Sequence, residues 1–250
     1  MLLYPNWPAP KGVCCAFSTR AGGVSNAPFN RMNLALHVGD KAEHVAHNRQ
    51  LLLETCSGLK AIQWLEQVHG SQCVAASVEG RAVRADASST QQLGLACAVM
   101  TADCLPVLFC NRAGTQVAAA HAGWRGLADG VLAQTLLSFQ ADTASADDII
   151  AYIGPAIGPS AFKVGLEVLE YFFASARNEA HLHSIGCAFR PSSKPLYFYA
   201  DLYALARAEL QSLGLSHIYG GDYCTYSDSR FYSYRRDAIT GRMASLIWLK

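Results

Sequence analysis

The sequence predicts a mixed α+β fold: a single layered domain in which a mixed β-sheet is flanked by helices. Three observations carry that prediction. Short apolar runs of strand length recur along the chain, at Val13–Thr19, Leu95–Thr101, Leu105–Cys110, Val117–Ala120 and Ile149–Ile153. Longer stretches with helical spacing of apolar positions lie among them. The two kinds are interspersed without strict alternation and without a repeat period, which argues against a doubly wound parallel sheet. No linker or shift in composition marks a boundary, so residues 1–250 are expected to form one domain.

The elements follow in order. Val13–Thr19 suits a buried strand and runs into a loop rich in glycine that ends at Pro28. Asp40, with Glu43 three residues later, predicts a capping box for a helix over Lys41–Cys56. Ala42, Val45, Ala46, Leu52 and Leu53 share one face of that helix, and Arg49 falls within it. An arginine aimed at a core either pairs with a carboxylate or reaches through to a site. Ala61–Val68 and Gln72–Val78 read as strands on either side of His69-Gly70-Ser71, and Gly80–Gln92, which contains Asp86, reads as a polar loop. Gly126–Phe139 fits a single helix, with Leu132, Leu136 and Phe139 on one face. Leu166–Ala176 is helical in pattern and Asn178–Pro195 irregular; Asp201 caps a further helix that Gly214 ends. Phe231–Arg236 and Met243–Leu249 are expected to pair as a hairpin across Asp237–Arg242.

Bulk properties exclude several classes. A chain that is 51% hydrophobic and 16% charged is globular rather than disordered. The formal net charge is +1 and basic residues are scattered apart from Arg235-Arg236, so no nucleic-acid footprint stands out. Asp103 interrupts the longest apolar run, Leu93–Cys110, which argues against a membrane span. Pro5 and Pro8 break the N-terminal segment, which has the pattern of no signal peptide. The nine cysteines show no framework of spacings, and several lie in apolar runs. Reduced thiols in a cytoplasm are the simplest expectation.

Chemistry concentrates between Met100 and Arg125. Asp103 and Cys104 end one apolar run, His121 and Arg125 follow another, and upstream Gln67-Val68-His69-Gly70 ends a third. His69, Cys104 and His121 are the imidazole and thiolate donors that zinc prefers, and three ligands with one open position describe a catalytic site. Their separation matches no short zinc signature, and on residue pattern alone a histidine at a strand end is more often a satisfied polar group than a ligand. Asp103, beside Cys104, is a candidate proton shuttle or a hydrogen-bond partner of a ligand histidine. Arg125, at a helix start, offers charge and free N–H groups to an anion, with Arg49 as a second arm. Arg235 and Arg236 alternate on an extended segment, so at most one of them faces inward. Asn33 and Tyr226 are candidate contacts to a base or sugar, while His37, His44, His47 and His217 lack ligand spacing.

One ordered series adds to this: Gln67-Val-His-Gly70, Thr101-Ala-Asp-Cys-Leu-Pro106, His121-Ala-Gly-Trp-Arg-Gly126, Ile153-Gly-Pro-Ala-Ile-Gly-Pro159, and Tyr234-Arg-Arg-Asp237 with Thr240-Gly-Arg242. It resembles the laccase-domain or polyphenol oxidoreductase proteins, now regarded as zinc-dependent purine nucleoside phosphorylases, over about Phe17 to Leu249. The resemblance implies that His69, Cys104 and His121 hold the metal, and Gln67, in the same motif as His69, is a candidate substrate or phosphate contact. It implies phosphorolysis of adenosine, inosine, guanosine and methylthioadenosine, together with deamination of adenosine. Ala156 departs from the pattern, because many members carry cysteine there. Implied partners are a purine nucleoside and phosphate, with neither nucleic acid nor membrane. Relatives described as peptidoglycan editing factors suggest an alternative, hydrolysis of a UDP-muramoyl-serine amide. A Cys104 nucleophile acting with a histidine on an amide is another. A copper polyphenol oxidase is disfavoured, because the chain has one His-x-His pair and Met100 lies poorly for an axial ligand.

Overall fold

The computed structural model describes residues 1–79, 82–139 and 146–250. Strands β1 (Leu2–Leu3) and β2 (Val13–Ser18) precede helix α1 (Ala42–Thr55). Short strands follow: β3 (Ala61–Gln63), β4 (Leu65–Glu66), β5 (Cys73–Ala75), β6 (Val83–Arg84) and β7 (Ala87–Thr90). The long, wholly buried strands come next, β8 (Leu95–Thr101), β9 (Leu105–Asn111) and β10 (Val117–Ala122). Helices α2 (Trp124–Ala128) and α3 (Val131–Leu137) lead to β11 (Ile149–Ile153), β12 (Lys163–Gly165), α4 (Leu166–Ala174) and α5 (Glu179–Cys187). The chain then passes through β13 (Phe189–Pro191), β14 (Tyr197–Ala200), α6 (Leu202–Ser212), β15 (His217–Gly220), α7 (Tyr234–Asp237) and β16 (Met243–Leu249).

The class is mixed α/β, as the patterning predicts. Its centre is two sheets, ordered β1-β2-β16-β8-β3 and β15-β11-β9-β10-β7-β5. Pairing is antiparallel except for β3 on β8, β15 on β11 and β5 on β7. Because side chains alternate along a strand, each sheet buries both faces. Leu105, Val107 and Phe109 of β9 pack on the helices α3–α6, while Leu108 and Cys110 meet Cys97, Val99 and Ile247 of the other sheet. The far side of that second sheet, with Ala96, Ala98, Leu246 and Trp248, packs on Leu52 of α1. The layers run helix, sheet, sheet, helix. β8 lies in one sheet and β9 in the other, so residues 102–104 form a crossing between them. Among the described residues no helix is long and apolar enough to cross a membrane.

Several expected elements differ. The α1 cap is Lys41 without a side-chain bond, because Asp40 is occupied elsewhere, accepting from Ser25, Asn33 and the Lys41 N–H. Ala61–Val68 divides at Trp64, with β3 joining the five-stranded sheet and β4 pairing with β6. The loop expected over Gly80–Gln92 begins outside the described residues and then contains β6 and β7. The latter is fully buried between β10 and β5 despite its sequence Ala-Ser-Ser-Thr. Gly130, at φ +84°, breaks the single helix expected over Gly126–Phe139 into α2 and α3. Asn178 caps α5 by accepting from the His181 N–H, which makes a helix of a segment that reads as irregular. The expected hairpin does not form. Both edges of β16 are taken, by β2 and β8, and Tyr234–Asp237 coils into α7 under a Ser233 cap.

Candidate metal centre

Three segments of different origin deliver the donors. His121 lies near the end of β10, Cys104 on the crossing from β8 to β9, and His69 in a tight turn after β4 at φ +61°. Their ligand atoms all lie within 4.8 Å of one another. Cys104 Sγ is 3.8 Å from His69 Nε2, and the two imidazole rings meet edge to face at 4.8 Å. A tetrahedral ion with ordinary bonds to nitrogen and sulfur separates its ligand atoms by roughly 3.3–3.6 Å, so the donors would close by about an ångström around it. Gly123 makes the approach possible. A Cβ there would stand 2.8 Å from His69 Cδ2 and 3.3 Å from Cys104 Sγ. Two imidazoles and a thiol at this spacing fit a metal ion, with room for a further ligand from the cavity.

A carboxylate outside the expected set anchors the cluster. Asp86, fully buried just before β7, accepts from His121 Nδ1 at 2.8 Å, leaving Nε2 as the free nitrogen of that ring. Asp86 also accepts the backbone N–H groups of Val68, His69 and Gly70. Those bonds and the proximity of His121 outweigh burial and hold its carboxyl below the usual range. Without a metal the ligands polarise each other. Burial alone would raise the Cys104 thiol, but His121, and then His69, bring it down to about 6. Burial alone would lower His121, but Asp86 and Cys104 lift it to about 9.

The cluster opens into a cavity of about 440 Å³, within the range of small-molecule sites. Gln67, Asp103 and Trp124 line it near the metal ligands, and His37, Arg235 and Arg242 line it as well. Gln67 is clamped in place: its amide both donates to and accepts from the Met100 backbone. Both Asp103 oxygens are occupied, one by Thr225 Oγ1 at 2.7 Å and one by the Arg235 N–H at 2.6 Å. It therefore ties α7 to the crossing at φ +95°, and the bond to a ligand histidine belongs to Asp86. Arg235 points its guanidinium at the carbonyls of Ala161 and Lys163, whereas Arg236 faces carbonyls of Thr225, Tyr226 and Phe231. Arg235 lines the cavity and Arg236 does not, and the two lie on a helical turn rather than on the extended segment that the sequence suggests.

Other expected contacts lie elsewhere. Arg125 is exposed over the Trp124 ring, outside the lining. Arg49 has no carboxylate partner among the described ion pairs. It stacks over Trp64 at 4.0 Å and donates to the Leu34 carbonyl, and burial pulls its guanidinium down to about 10. Asn33 is fully buried behind the cavity, accepting from the Arg242 and Ala35 N–H groups and donating to Asp40. Tyr226 is exposed and does not line the cavity. Sequence reasoning passed over Asp86, His37, Trp124 and Arg242 as site residues. Trp124 and Arg242 do stand in the motif series, and Asp86 has no local signal at all.

The model of the family described as multi-copper polyphenol oxidoreductase laccase matches residues 14–250. The chain belongs to that family. A relative from Escherichia coli (strain K12), purine nucleoside phosphorylase YfiH, is 51% identical over 99% of this chain and 98% of its own length. Purine nucleoside phosphorylase PA4543 of Pseudomonas aeruginosa is also 51% identical, with the same coverage. Among solved structures, Neisseria meningitidis protein NMB0706 superposes with a TM-score of 0.91 at 47% identity, over 100% of this chain and 99% of that one. Despite the copper in the family description, the described residues hold one cluster able to bind a metal. A multicopper oxidase needs several. Met100, the candidate axial sulfur, faces an Arg49 N–H at 3.9 Å.

Proposed function

We propose that this chain is a zinc-dependent purine nucleoside phosphorylase. The observation that carries the reading is a juxtaposition: one cavity joins a His2Cys cluster to a wall bearing Arg235 and Arg242. The curated relatives at 51% identity, named as purine nucleoside phosphorylases, support it. Phosphorolysis joins a phosphate oxygen to the anomeric carbon of the ribose and breaks the bond to the purine. The purine leaves with the electron pair and takes up a proton.

This chain's residues divide that work. Arg242, half-buried and drawn by Cys104 and Asp103 although burial lowers it, is the principal anion contact. Arg235 adds a second charge at the rim. Burial, Arg242 and Arg49 all lower His37, which keeps it a neutral N–H donor near pH 7. Trp124 and Phe162 present aromatic surface to a base. Asp103 sets the place of Arg235 through its backbone N–H. His69, Cys104 and His121 would hold the zinc, which when bound would supply Lewis acidity to the cavity and would also suit deamination of adenosine.

The test pairs metal analysis with hypoxanthine release from inosine, with and without phosphate. About one zinc per chain and phosphate-dependent release are expected. Zinc without release, coupled to cleavage of a UDP-muramoyl-serine amide, would replace this reading with precursor editing. A metal-free protein that remains active would point to Cys104 as a nucleophile.

A further inference from the structure

We propose that Asp86 is the positioning residue of the metal centre, setting the orientation of two ligands at once. This rests on the metal reading above and concerns how the site is built. Its two oxygens divide four donors. Oδ1 accepts from His121 Nδ1 at 2.8 Å and from the His69 N–H at 3.0 Å. Oδ2 accepts from the N–H groups of Val68 at 3.1 Å and Gly70 at 2.8 Å. The backbone joins in, because the Asp86 carbonyl accepts the His121 N–H at 2.7 Å.

These bonds do two separate jobs. The bond to Nδ1 fixes the His121 tautomer and ring plane, so that Nε2 is the coordinating nitrogen. The three bonds to successive N–H groups form the turn that carries His69. That residue sits at φ +61°, a conformation side-chain-bearing residues rarely adopt without support. His69 is itself exposed, so packing does little to hold its backbone. Asp86 has no exposure and lies outside the cavity lining, so it acts through the ligands and touches no substrate. Only an ionised carboxylate offers acceptors to donors on both sides. An asparagine of equal size would turn its own N–H2 toward either His121 and His69 or Val68 and Gly70, leaving donors facing donors.

The experiment compares wild-type protein with Asp86→Asn. Zinc affinity is measured by chelator competition, and ligand geometry by the absorption of the cobalt-substituted form, in which the Cys104 thiolate gives a charge-transfer band. We expect affinity to fall about 10–100-fold and the cobalt spectrum to change shape. Equal affinity with an unchanged spectrum would overturn the proposal. A second measurement needs no variant: the nitrogen shifts of His121 in wild-type protein. A proton on Nδ1, with and without zinc, is expected, and an Nδ1 that carries no proton in the metal-free protein would overturn the proposal even where the variant does not fold. A wild-type protein that takes up no zinc would sink the metal reading instead, and that control separates the two failures.

Discussion

The two walls of the cavity are held in different ways. The metal wall draws its donors from a strand, a crossing and a turn, and Asp86 gathers two of the three with side-chain bonds. On the cationic wall each arginine is held separately: the guanidinium groups of Arg235 and Arg242 donate to carbonyls, and their own N–H groups bond to the side chains of Asp103 and Asn33. A ligand cluster needs orientation to a fraction of an ångström, which a buried carboxylate with several donors supplies. An anion wall tolerates more variation, since charge acts over distance and a guanidinium can pivot. Loss of a donor from the metal wall should therefore remove zinc and turnover together, whereas loss of an arginine from the cationic wall should lower turnover and leave the zinc in place.

Four substitutions test that contrast, from the largest expected effect to the smallest. Cys104→Ala should abolish stoichiometric zinc and all turnover together; full activity without the thiol would remove the cluster from the reaction. Arg242→Ala should keep its zinc and lose about 10²–10³-fold in phosphate-dependent turnover, the scale for removing one charged donor from a site. Zinc loss in that variant would mean that the two walls are not separable. Gly123→Ala should cost roughly tenfold in zinc affinity, because the new methyl group displaces His69 and Cys104 from each other. Chelator competition that returns the wild-type constant would show slack in the cluster. Arg125→Ala should change turnover by about twofold at most, in keeping with an exposed cation. A loss comparable with Arg242→Ala would return Arg125 to the anion site that its place in the sequence suggested.

Legibility in the sequence followed local signal. The long strands β8, β9 and β10 are uninterrupted apolar runs, and their predicted bounds fall within two residues of the observed ones. β7 was missed because a strand buried between two others needs small side chains as much as apolar ones. Its serines and threonine carry the composition of a loop. α5 was missed because Asn178, a turn residue in isolation, works here as a cap. The donor set His69, Cys104 and His121 came through the motif series, each member within two positions of a glycine or an aspartate. Asp103 drew attention because it adjoins Cys104, whereas Asp86 holds His121 from 35 positions away. Contacts of that kind come from the pairing of β7 with β10, and nothing in the local composition announces them.

The crossing at residues 102–104 has a further consequence. One donor stands on the segment that passes from sheet to sheet, one on the six-stranded sheet, and one on a turn braced beside β7. An ion held by all three would tie the crossing and the turn to the rim of the six-stranded sheet, so metal uptake and the folding of that rim would share one free energy. Above the dissociation constant, each tenfold rise in free ion would then add about 1.4 kcal/mol to the folded state. Heat tolerance in this protein would become a gauge of how much metal its surroundings hold.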